Sequence, residues 1–109
     1  MLTNEMPITQ ESAELALEIL KTAMRYNRTS TTKEETGDKP TFSVEFTGLV
    51  CQLSVRIHPH GWERGDECER YSYTIDLAAD EYTTVNQIVW RLNQVLEKMH
   101  EVYRAWEES

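Results

Sequence analysis

The 109 residues suffice for one core and no more, and 39% hydrophobic with 28% charged residues is the balance of a folded domain, not a disordered chain. A net charge of −8, from 19 acids against 11 bases, repels phosphate backbones and anionic lipid and so argues against nucleic acid and membrane surfaces as direct partners. No apolar run is long enough to span a bilayer, and MLTNEMPITQ lacks the basic and apolar regions of a secretory leader, so the expected location is the cytoplasm.

Taken in chain order, residues 10–27 read as an amphipathic helix. Leu15, Ala16, Ile19, Leu20, Ala23, Met24 and Tyr26 share one broad face, and Glu11, Glu14, Glu18, Lys21 and Arg25 share the other. Thr9 is placed to cap it. Residues 28–41 contain no apolar side chain, and their threonines, charges, Gly37 and Pro40 predict a solvated, flexible connector.

The next stretch alternates. Phe42, Val44 and Phe46 interleave with Ser43 and Glu45, predicting a strand over 42–47. Leu49, Cys51, Leu53, Val55 and Ile57 interleave with polar residues, predicting a second over 49–57. A two-residue turn at Thr47-Gly48 would pair Phe46 with Leu49, Val44 with Cys51 and Phe42 with Leu53 on a common face. Tyr71, Tyr73, Ile75 and Leu77 predict a third strand over 70–77, with Ile57 opposite Tyr71, Val55 opposite Tyr73 and Leu53 opposite Ile75.

Residues 84–108 form the longest periodic segment. Val85, Ile88, Val89, Leu92, Val95, Leu96, Met99, Val102, Tyr103 and Trp106 lie on one helical face, and Thr84 with Gln87 spells a capping box. The expectation is a single α+β domain over residues 1–109. Its two layers follow the order α-β-β-β-α, a three-stranded antiparallel meander with both helices on its apolar face. That order resembles the double-stranded-RNA-binding domain. Such domains use a basic cluster at the start of the last helix, however, whereas this helix opens Thr84, Val85, Asn86, Gln87, Ile88 and has its first base at Arg91. Sheet-based RNA modules stack bases on aromatics of the open face, and this open face has none. RNA binding is therefore not expected.

The segment His58–Arg70, HPHGWERGDECER, reads as a projecting hairpin loop. His58, His60 and Cys68 are candidate zinc ligands by type, but their spacing matches no compact metal signature, and no metal or cofactor is assigned. A Cys51–Cys68 bridge is excluded by the register, which separates them by roughly 30 Å along the ladder. Cys51 then reads as a buried thiol and Cys68 as an exposed one. With no GxSxG, HExxH or phosphate-binding glycine loop, no catalytic residue is assigned either.

What remains points to binding. Trp62 stands among Glu63, Asp66, Glu67 and Glu69 in the hairpin loop, and Trp90 stands on the polar face of the last helix with Glu97 and Glu101. A tryptophan set among acids supplies affinity, and the acids supply steering toward a basic partner surface. The expected function is a small non-enzymatic protein-binding module. In size, acidity and build it resembles phage-type, anti-CRISPR-like inhibitors of bacterial defence nucleases, some of which mimic the charge of DNA. The alternative is a homodimeric assembly protein that hides Val102, Tyr103 and Trp106, at the overhanging end of the last helix, against a second copy. A metal-dependent enzyme built on His58, His60 and Cys68 is the remote third.

Overall fold

Alternation from residue 42 onward divides apolar from polar side chains, and the chain realises it as one antiparallel sheet. The computed structural model describes residues 8–28, 40–59, 70–79 and 83–108. Strands β1 (Thr41–Thr47), β2 (Gln52–His58) and β3 (Tyr71–Asp76) lie side by side in sequence order. The β2–β3 register is the expected one, Ile57 opposite Tyr71, Val55 opposite Tyr73 and Leu53 opposite Ile75.

The β1–β2 register differs. Phe42 pairs with Ile57, Val44 with Val55 and Phe46 with Leu53, four positions along β2 from the expected partners. The turn is Gly48–Cys51 rather than Thr47-Gly48, and β2 begins at Gln52 instead of Leu49. The physical reason lies in the turn. A two-residue type I′ turn needs positive φ at both central residues, which β-branched Thr47 resists. The longer connection asks a positive φ of Cys51 alone among its non-glycine residues, at 52°. A shift by an even number keeps every side chain on its face, so the core survives the change. Cys51, expected inside, is instead a partly exposed turn residue, and its carbonyl accepts from Leu77 N at 2.9 Å. His58, expected in the loop, closes β2 opposite Thr41, and Pro40, expected in the connector, is fully buried.

Helix α1 (Gln10–Arg28) starts where Thr9 Oγ1 accepts from Ser12 N at 3.2 Å. Its inward arc is Ser12, Ile19, Thr22 and Ala23, with Leu15, Ala16 and Tyr26 partly buried. Leu20 and Met24, expected on that arc, are exposed. At about 100° per residue they fall beyond the edge of a stripe centred on Ile19. Helix α2 (Val85–Glu107) carries the capping box as read: Gln87 N donates to Thr84 Oγ1 (3.2 Å) and Thr84 N to Gln87 Oε1 (2.8 Å). Ile88, Leu92, Val95, Met99, Val102 and Tyr103 form its buried stripe.

Both helices cover one face of the sheet, α1 over β1 and α2 over β3, and they pack on each other. They run the same way, because Ile8 bridges Ala78 at one end while Tyr26 stacks on Tyr103 (centroids 3.9 Å apart) at the other. Each helix also takes hold of the strand edge below it. Asn27 donates through Nδ2 to Phe42 O at 2.6 Å and accepts at Oδ1 from Phe42 N at 3.0 Å, doing for β1 what a neighbouring strand would do. Arg91 Nη2 donates to Thr74 O on β3 at 3.1 Å. The Asn27 contact caps the β1 edge at Phe42, and the Arg91 contact the β3 edge at Thr74.

The end of α2 is not an open overhang. Val102 and Tyr103 are buried within the chain, and Trp106 is partly buried with its ring 5.3 Å from Tyr103. Of the two covers the sequence left open for this end, the first helix or a second copy, helix α1 supplies it: Tyr26 stacks on Tyr103. Among the described residues no helix is long and apolar enough to cross a membrane.

Candidate functional site: the groove between α2 and β3

Trp90, Gln94, Glu97 and Glu101 follow one another at the four-, three- and four-residue steps that align side chains along a helix. In α2 this row points away from the core. Beneath it lies β3, an edge strand whose Tyr73 and Ile75 share the helix-covered face with buried Leu53 and Val55. Helix and strand diverge here and leave a groove of about 360 Å³, with Tyr73, Ile75 and Val95 on its apolar side and Trp90, Glu97 and Glu101 among its lining residues. The Trp90 indole is 63% exposed. Three of the expected partner-binding residues thus meet at one place.

The charges are not equivalent. Lys98 Nζ lies 4.3 Å from the Tyr71 ring centroid and 3.5 Å from Glu101 Oε2. Burial by itself would lower the Lys98 ammonium, but the charge of Glu101, its hydrogen bond, and the two tyrosines outweigh that and raise it. Arg91 is engaged by the Thr74 carbonyl. Glu97 receives only the Gln94 amide, at 3.5 Å, and among the described residues no cation pairs with it. Lys98 is thus paired with Glu101, while Glu97 forms no ion pair among the described residues, although Arg91 and Lys98 line the same groove. Glu97 and Glu101 also border a second depression with His100 and Arg104, so the two acids form a ridge between both hollows.

An exposed tryptophan near the half-buried Tyr73 ring and the Glu97 carboxylate can accommodate the stem of a lysine or arginine along Trp90, with its head toward Glu97. Tyr73, Ile75, Arg91 and Lys98 were not foreseen as members of the site. Lys98, eight residues from Trp90, could have been found from helical spacing; the strand residues required knowing which strand α2 covers.

The hairpin-loop residues Trp62, Glu63, Asp66, Glu67 and Glu69 lie outside the described residues, as do His60 and Cys68. His58 is buried at the end of β2, and burial, then Arg70 and Arg56, push its imidazole below its ordinary value. Among the described residues no group of three or more histidines, cysteines or acids could hold a metal ion. No protein-family model, curated protein or solved structure matches the chain.

Proposed function

We propose that this protein is a non-enzymatic module that binds another protein, gripping a basic side chain of its partner in the groove between α2 and β3. The observation that carries this reading is Trp90, 63% exposed at a groove whose Glu97 carboxylate forms no ion pair among the described residues. A solvent-facing tryptophan costs the free protein apolar exposure, and truncating such an anchor in an interface typically removes 2 kcal/mol or more, a loss of roughly thirtyfold. The net charge of −8 adds long-range steering toward basic surfaces. The partner class that suits this chemistry is a protein with a basic nucleic-acid groove. Occupying that groove by negative-charge mimicry would inhibit it, as phage-type inhibitors do to host defence proteins.

A photo-reactive amino acid in place of Gln94, which lines the groove, tests the site directly. In lysate of the source organism it should cross-link to a basic protein, whereas the same probe at Glu11 in the first turn of α1 should not. Equal cross-linking from both positions, or none from position 94, contradicts the assignment.

A further inference from the structure

Helix α1 carries two apolar stripes, and the fold uses one. Ile19 and Ala23 enter the core, while Leu17, Leu20 and Met24 recur at three- and four-residue steps on an exposed flank. That flank faces away from α2. The α2 side is marked by Tyr26, which bonds and stacks with α2 residues, and by Glu18 and Arg25, which act on His100. The stripe therefore overlooks the open edge of β1.

Phe46 belongs to the same surface. It shares the helix-covered face with Phe42 and Val44 yet is 53% exposed. From Asn27, bonded to Phe42, ten residues back along α1 span about 15 Å and four along β1 about 13 Å, so Leu17 and Phe46 stand at one level. Leu49, 94% exposed, and Val50, also exposed, follow in the turn directly after β1. The six side chains present on the order of 500 Å² of mainly apolar surface. That is near the largest patch a monomer normally tolerates, and it would fill most of one partner's share of a standard interface, about 800 Å².

We infer that this face is where two copies of the chain associate, α1 stripe against α1 stripe and β1 edge against β1 edge, across a twofold axis. The exposed stripe itself contains no acid, with Glu11 and Glu18 on the opposite flank of α1 and Glu14 and Lys21 at its margin. A copy carrying −8 meets another copy with least repulsion through a face poor in acids, whereas a basic partner gains little from one. The edge is also self-complementary. Since Phe42 turns its N–H and C=O out to Asn27, strand alternation turns those of Val44 and Phe46 outward too. An axis through Phe46 leaves Asn27 undisturbed and sets Glu45 opposite Thr47 of the other copy instead of opposite itself. The α2–β3 grooves, at the far edge of each sheet, stay open.

Solution mass measured against concentration tests this. The wild type should rise to twice 12.8 kDa. Leu17→Lys, and independently Val50→Lys, should weaken self-association tenfold or more, since each buries an unpaired charge. Both positions are exposed in the single chain, so circular dichroism should not change, and at concentrations where the wild type is monomeric the thermal midpoint should not move either. Each lysine also lowers the net negative charge, so dissociation cannot come from added repulsion. A wild type that stays at 12.8 kDa throughout, or lysine variants that dimerise like wild type, overturns the proposal.

Discussion

Tyr26 and His100 join the two helices through a hydroxyl–Nδ1 hydrogen bond of 2.5 Å, and the rings meet edge to face. Burial, then Arg25 and Arg104, lower the His100 imidazole below its ordinary value, and Glu18 opposes them only in part. His58 is lowered in the same sense by burial, Arg70 and Arg56. An imidazole depressed in the folded state binds fewer protons there than in the unfolded chain. Its contribution is therefore complete above the unfolded value near 6.5 and is lost as pH falls from there through the folded value. The urea midpoint should drop between about pH 7.5 and pH 5.5, before most carboxylates protonate. His100→Asn, which keeps an acceptor near Nδ1 but cannot titrate, should reduce that drop. An unchanged drop in the variant would show that His100 takes no part.

At the scale of elements, the β1–β2 hairpin shows what pattern alone leaves open. Alternation assigned the faces of all three strands and the β2–β3 register correctly. It was blind to the β1–β2 register because a shift of four residues preserves every face. The deciding term is the turn: Thr47 resists the positive φ a two-residue turn demands, and the longer connection places that strain on Cys51 at φ 52°, where Cys51 Sγ reaches Gly48 O only at 3.7 Å. A left-handed conformation costs a non-glycine residue about 1–2 kcal/mol, and glycine's extra unfolded freedom cancels about 0.5–1 of that. Cys51→Gly should thus stabilise the protein by roughly 0.5 kcal/mol in urea unfolding; destabilisation would mean that the thiol's packing outweighs the strain. The same limit applied to α1. Its apolar residues span more than one face, and only the placement of β1 and α2 decides that Leu20 and Met24 stay outside. In the groove, Trp90, Glu97 and Glu101 were legible because one helix sets their spacing. Tyr73 and Ile75 were not, because their part depends on the packing of a distant segment.

The whole molecule presents two unlike faces at opposite edges of one sheet. The β1 edge carries the apolar surface proposed for a second copy, and the β3 edge the groove, lined by Glu97, Glu101, Arg91 and Lys98, proposed for a basic guest. Pairing through the first would display two of the second, so that a partner with repeated basic sites is held by both and gains avidity without new contacts. The net charge of −8 makes recognition at the groove dependent on ionic strength, whereas burial of the Trp90 indole is not screened by salt. The most direct test of groove binding is affinity capture from lysate of the source organism at low and high salt, with wild type beside Trp90→Ala and the Glu97→Lys/Glu101→Lys pair. Wild type should retain a basic protein at low salt and release it as salt rises, and both variants should fail to retain it. Equal retention by all three, or capture indifferent to salt, would contradict the account.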